Sequence, residues 1–68
     1  MIYSMQMDEP ELLAFCVEVM GSAELAIEWM TRRAPLLSGK RPIELTGTPE
    51  GRAKIERILR DAQAGFPV

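Results

Sequence analysis

Prolines and glycines divide this chain of 68 residues into pieces of helix length. Asp8, Pro10 and Glu11 combine an N-cap, a first-turn proline and a capping-box acid, and Gly21 stops the apolar run that follows. The pattern predicts a first helix over residues 9–20.

A second helix follows at once. Ser22 is a suitable N-cap, and apolar residues recur at helical spacing until Pro35 forbids continuation. We therefore expect a helix over residues 23–33. The stretch 35–41 contains Ser and Gly together and is expected to be an ordered loop.

Two further helices complete the predicted fold. Pro42 opens a single helical turn over residues 42–46, and Thr48 caps a longer helix over residues 49–64 that ends before Gly65. No stretch of strand length alternates apolar and polar residues. The fold class predicted is all-α, a small bundle of four helices: two of middle length, one single turn and one longer C-terminal helix.

The chain is near the lower size limit for a domain with one unaided core. We expect residues 1–8 to be an N-terminal extension, residues 9–66 to be the helical domain and residues 67–68 to be a tail.

Catalytic and metal chemistry find little support in the composition. There is no histidine, and the one cysteine, Cys16, lies within an apolar run, which predicts a buried, inert thiol. We expect no enzyme, no cofactor, no metal site and no disulfide. No stretch has the ~20 apolar residues of a membrane span, so a cytoplasmic location is expected.

The first two predicted helices are apolar over about half of their circumference. The apolar positions of the first are Leu12, Leu13, Phe15, Cys16, Val17, Val19 and Met20, and those of the second are Ala23, Leu25, Ala26, Ile27, Trp29 and Met30. So small a domain has few elements to cover both faces, which favours a homodimer or a heterologous contact through these helices. The alternative is that both helices are central in a compact monomer.

Charge is distributed unevenly. Residues 1–31 hold six acids and no base, whereas residues 32–68 hold eight bases and four acids. This asymmetry favours oriented association with a partner. A DNA-binding or transcription-regulatory role is the alternative that the basic half suggests. It is weakened by four i,i+4 charge pairs in the last helix, Glu50–Lys54, Arg52–Glu56, Glu56–Arg60 and Arg57–Asp61.

Candidate partner-binding residues lie around the central loop. Arg32, Arg33, Lys40 and Arg41 cluster there without obvious acids in the local sequence, and they suit steering towards an acidic partner; a solvated loop is the alternative. Trp29 lies at the margin of the apolar arc, where it caps the core or anchors an interface.

Four short motifs follow one another along the chain. They are Ala26-x-x-Trp29-Met30, Pro35-x-Leu37-x-Gly39-x-x-Pro42-x-x-Leu45, Thr48-x-x-Gly51-x-x-x-Ile55-x-x-x-Leu59 and a final Gly65. Over about residues 21–66 the chain resembles the toxin-binding domain of the Xre/MbcA/ParS family of bacterial antitoxins. The Leu-x-Gly-x-x-Pro loop followed closely by Thr-x-x-Gly is the most specific part.

The resemblance implies a compact helical bundle that binds a partner toxin and blocks its active site. The toxin is commonly a RES-domain protein that consumes NAD. In similar antitoxins the C-terminal part of the domain approaches that active site, which makes Phe66, Pro67 and Val68 candidates for insertion. The alternative is that Phe66 folds back onto the last helix.

The family's longer members also carry an N-terminal helix-turn-helix region. Only some twenty residues precede the matching segment here, so binding of an operator by this chain alone is not expected. The motif residues are mostly structural in our interpretation. Gly39 supplies a positive φ or a close approach, Pro42 and Thr48 start helices, Gly51 admits a neighbouring backbone, and Gly65 ends the last helix.

Overall fold

The computed structural model describes residues 7–65, and this part of the chain is helical. It contains three α-helices and two 3-10 turns: α1 Glu9–Met20, α2 Ala23–Thr31, the first turn Pro35–Leu37, the second turn Pro42–Leu45, and α3 Pro49–Gln63. The predicted all-α class is confirmed.

The predicted count of four helices is not matched. The segment expected to form a helical turn over residues 42–46 is a 3-10 turn, in which the amide of Thr46 donates to the carbonyl of Ile43 at 3.3 Å. Runs this short commonly take the tighter i→i+3 pattern. The predicted loop also contains a 3-10 turn, Pro35–Leu37.

The ends of α1 follow the predicted caps. The amide of Glu11 donates to the Asp8 carboxylate at 2.9 Å, and the amide of Asp8 donates to the Glu11 carboxylate at 3.0 Å. Gly21, with φ of 98°, closes the helix in the left-handed conformation. The bounds of α1 are those that the sequence predicts.

The second helix is shorter than predicted, because it ends at Thr31 and not at residue 33. Arg32 is already extended, with φ −90° and ψ 137°. The chain straightens so that the amide of Ala34 donates to the carbonyl of Lys40 at 3.0 Å in an isolated antiparallel bridge. The loop between the helices therefore has its own backbone hydrogen bonds.

The third helix packs closely against the second 3-10 turn. Thr48 caps it by accepting from the amide of Gly51 at 3.0 Å. A Cβ added to Gly51 would overlap the carbonyl of Leu45, so the bare Cα permits this approach. The helix ends at Gln63, one residue earlier than predicted.

The core lies where α1 packs against both α2 and α3. Its buried apolar side chains are Leu12, Phe15, Cys16, Ala26, Met30, Leu37, Ile55 and Leu59. The Arg60 guanidinium lies over the Phe15 ring, 5.2 Å from its centroid, and covers the core at that point.

None of the helices within residues 7–65 has the length and apolar content to cross a bilayer.

Candidate protein-binding surfaces

An apolar groove runs between α1 and α2. Its volume is about 410 Å³. Its lining residues are Leu13, Val17, Ala23, Ala26, Ile27, Met30, Thr31 and Ile43. We call it the α1–α2 groove.

The large side chains at the edges of this groove face solvent. Ile27 is 64% exposed, Leu13 and Ile43 are each 40% exposed, and Val17 is 36% exposed. Ala26 and Met30 are buried and belong to the core as well. The first two helices thus keep apolar side chains exposed, as the sequence predicts, and the other described elements within residues 7–65 do not wrap them. The predicted homodimer through them stays a prediction.

All charged residues of the two helices beside the groove are acidic. Residues 7–31 include six acids and no base. Glu24 and Glu28 lie within one turn of Ile27, and Glu18 follows Val17. Glu28 pairs with Arg32 at 3.4 Å, with both side chains largely exposed. The expectation that the basic cluster faces no local acid is therefore wrong for Arg32, because the last turn of α2 brings Glu28 beside it.

A second surface is formed by the bases Arg32, Arg33, Lys40 and Arg41, all of them exposed, and we call it the basic loop surface. The bridge between Ala34 and Lys40 closes the loop. A guanidinium nitrogen of Arg33 donates to the carbonyl of Gly39 at 3.1 Å. Gly39 has φ of 82°, which suits a glycine in this tight return. The backbone of the surface is held in place by these bonds.

Trp29 joins the basic loop surface to the core. It is half-buried and packs against the core cluster, and its other side lines a small cleft of about 100 Å³. The remaining lining residues of the cleft are Arg32, Arg33, Ala34 and Pro35. Since Trp29 and Ile27 are two residues apart, their side chains leave α2 about 200° apart. The cleft and the α1–α2 groove therefore lie on different sides of α2.

The other motif residues have structural positions. Pro42 is fully buried at the start of the second 3-10 turn, and Gly65 follows α3 with φ of 100°. Phe66, Pro67 and Val68, the predicted inserting tail, lie outside the described residues.

Cys16 is completely buried, and this burial raises the pKa of its thiol. A buried thiol with a raised pKa is a poor nucleophile. Within residues 7–65, acidic and cysteine side chains form no group of three or more that suits a metal ion.

Sequence reasoning missed two features of these surfaces. Ile43 completes the groove from the second 3-10 turn, and a segment of four residues has no periodicity that would have identified its exposed side. Arg52 was assigned to a charge pair with Glu56. It donates instead to the carbonyls of Met7 at 3.2 Å and Thr46 at 3.0 Å.

Comparison with known families assigns the chain. Residues 17–65 match the family described as the antitoxin Xre/MbcA/ParS C-terminal toxin-binding domain, from the last turn of α1 to the second residue after α3. The chain belongs to this family. The match confirms the resemblance carried by the loop and cap motifs of this toxin-binding domain.

The toxin-binding domain is also similar to one curated protein, the 6-hydroxy-3-succinoylpyridine 3-monooxygenase HspA of Pseudomonas putida (strain DSM 28022 / S16). The two are 42% identical over 49 residues, which cover 72% of this chain. The chain spans 16% of the length of that protein. A comparison of the toxin-binding domain with solved structures gave no match.

Part of the core lies outside the family match. Leu12, Phe15 and Cys16 precede residue 17 and are buried against α2 and α3. In this toxin-binding domain the part of α1 that precedes the family match, residues 9–16, therefore completes the core.

Proposed function

We propose that this domain binds a protein toxin and neutralises it by covering the toxin's active site. Membership of the toxin-binding family over residues 17–65 carries the proposal. In its finer form, the toxin is a RES-domain protein that consumes NAD. The domain acts by binding, in the cytoplasm, and needs no cofactor for it.

The basic loop surface and the tail are the contacts that we propose for the toxin. The hydrogen bonds of the loop hold Arg33 and Lys40 near one another before binding, which lowers the ordering cost of association. Exposed bases on a fixed backbone suit steering towards an acidic rim around a substrate pocket. The tail, residues 66–68, adds the apolar side chains of Phe66 and Val68, which suit insertion into that pocket.

The monooxygenase relative does not supply a second function. The chain spans 16% of that protein, so its printed activity gives no reason to assign the same reaction here.

Co-production with a RES-domain toxin tests the proposal. The full chain is expected to restore growth and to co-purify with the toxin. Deletion of residues 66–68, or Phe66→Asp, is expected to weaken binding about tenfold or more, which corresponds to about 1.4 kcal/mol or more. Isothermal titration measures the affinity, and circular dichroism checks that the helices remain.

Gln63→Asp is the matched control, because Gln63 is exposed in the last turn of α3 and close to the tail in sequence. It is expected to leave the affinity unchanged. Full rescue by the deletion variant would remove the tail from the proposal. Failure of the full chain to bind such a toxin would remove the proposal itself.

A further inference from the structure

We propose that the α1–α2 groove binds an amphipathic helix of a partner protein, with apolar side chains on its buried face and Lys or Arg at its flanks. This site is separate from the contacts proposed for the toxin. The groove and the Trp29 cleft lie on different sides of α2, and the tail plays no part in it. The inference therefore goes beyond the proposed function.

The shape of the groove suits a helix. Its walls are α1, of 12 residues, and α2, of nine residues. At a rise of 1.5 Å per residue, α2 is about 13 Å long, which accommodates two to three turns of a docked helix. Such a helix places side chains at i, i+3 or i+4, and i+7 into an apolar channel.

An extended peptide has less to gain here. Strand addition takes its affinity from hydrogen bonds to an exposed sheet edge. The described residues contain an isolated bridge and no strand, so α1 and α2 offer no such edge. The affinity has to come from burial of apolar side chains, and these are what a helix presents along one face.

The lining supplies both edges and floor for such side chains. Ile27 and Leu13 stand at opposite edges, on α2 and α1, and both are exposed. Ala26 lies in the floor, where its small side chain leaves room for a larger one from the partner. Among the lining residues within 7–65, Thr31 is the polar one, and its hydroxyl donates to the carbonyl of Ile27 at 2.7 Å.

Charge identifies the kind of helix. The charged residues of α1 and α2 are all acids, and Glu18, Glu24 and Glu28 are the sequence neighbours of the lining residues Val17, Ala23 and Ile27. Glu28 has Arg32 as a partner, but within residues 7–65 neither Glu18 nor Glu24 is in an ion pair. Lys or Arg at the flanks of a docked helix would complement these carboxylates. A second copy of the chain would bring two sets of acids together, which disfavours self-association through this face.

The test uses the full chain and three labelled peptides of about 15 residues, long enough for a helix to form on binding. The first has Leu at helical spacing and Lys at the flanks, the second has Glu in place of Lys, and the third has the composition of the first with the Leu residues at alternate positions. Fluorescence anisotropy measures binding at several salt concentrations. The first peptide is expected to bind about tenfold or more tighter than the other two at low salt. Its advantage over the second should shrink as salt rises.

Two pairs of variants separate the groove from non-specific adhesion. Ile27→Asp is expected to reduce binding of the first peptide about tenfold or more. Leu25→Asp is its control, since Leu25 is 51% exposed on the same helix and does not line the groove. Glu24→Lys is expected to weaken binding of the first peptide and to strengthen binding of the second. Asp61→Lys, on α3, is expected to change neither affinity. Thermal unfolding checks each variant.

Several results would overturn the inference. Equal binding of the three peptides would overturn it, and so would equal losses of affinity for the first peptide in Ile27→Asp and Leu25→Asp. A dimer by light scattering that Ile27→Asp converts to a monomer would assign the groove to a second copy. If the peptide bound only to a variant that lacks residues 1–6, the groove would be assigned to those residues of the same chain. Toxin binding is measured separately, so either proposal can fail alone.

Discussion

Gly51 shows how one missing side chain determines local packing. Its Cα lies against the carbonyl of Leu45, and its amide donates to Thr48, so the second 3-10 turn and α3 meet at this residue. The contact is with backbone, which cannot rotate away as a side chain can. The glycine is therefore required by contact and not by a positive φ.

We expect Gly51→Ala to lower the free energy of unfolding by about 1–3 kcal/mol or more, because the added methyl group forces the turn away from α3. Urea denaturation followed by circular dichroism measures the change. Gly47→Ala is the control. Nothing lies within 4 Å of a Cβ at Gly47 and its φ is not positive, so its effect should be near zero or slightly stabilising. Equal losses in the two variants would contradict this account of Gly51.

Arg52 connects three elements. From the first turns of α3 it donates to the carbonyl of Met7, just before α1, and to the carbonyl of Thr46, after the second 3-10 turn. Thr46 also donates from its hydroxyl to Glu9 at 3.0 Å, in the first turn of α1. The start of α1 and the start of α3 are joined by these polar contacts.

Replacement of Arg52 by Ala should destabilise the domain by about 1–3 kcal/mol, because partly buried carbonyls lose charged donors. Arg57→Ala is the comparison, since Arg57 is exposed on the same helix and should change stability by no more than about 0.5 kcal/mol. Thermal unfolding of both variants gives the difference. Indistinguishable midpoints would show that the Arg52 contacts contribute nothing net.

Local signals made the helices predictable, and longer-range contacts account for what was missed. Asp8 and Thr48 act within three residues of their own position, so their caps can be read from sequence. The early end of α2 depends on the bridge between Ala34 and Lys40. Arg52 donates to the carbonyl of Met7 and does not pair with Glu56, its neighbour one turn along the helix. Lys40 and Met7 lie outside the helices concerned, so the pattern of one helix cannot predict these contacts. Helix periodicity indicated an exposed apolar face but not its lining by Ile43.

At the scale of the whole molecule, charge is separated between two halves of the chain. Residues 32–65 carry eight bases and four acids, opposed to the acids of α1 and α2. On α3 the bases do not form one continuous field. Of the four charge pairs predicted there, Glu56–Arg60 is formed at 2.8 Å, and Arg52 is bound to carbonyls. The predicted pairs Glu50–Lys54 and Arg57–Asp61 are not formed among the described residues. This arrangement suits docking to one side of a protein better than contact along a duplex.

We therefore expect weak binding to duplex DNA. A protein that neutralises many phosphates shows a steep loss of affinity with salt. Because the bases of this chain are divided between the loop and α3, where Arg52 and Arg60 are already engaged, its loss should be shallow. Anisotropy of a labelled duplex across a KCl series measures both affinity and slope. Tight binding with a steep slope would favour the transcription-regulatory alternative over the purely protein-binding function.

The position of α2 between the groove and the Trp29 cleft has a consequence for dynamics. Of the nine residues of α2 only Ala26 and Met30 are buried, which is fewer than in α1, and one of the two is a small alanine where α3 contributes Ile55 and Leu59. α2 should open locally at lower free energy than the other two helices, and amide exchange there should be fastest. A molecule bound on either side of α2 would suppress this local opening. Binding in the groove and binding at the cleft would therefore strengthen each other, although the two ligands do not touch.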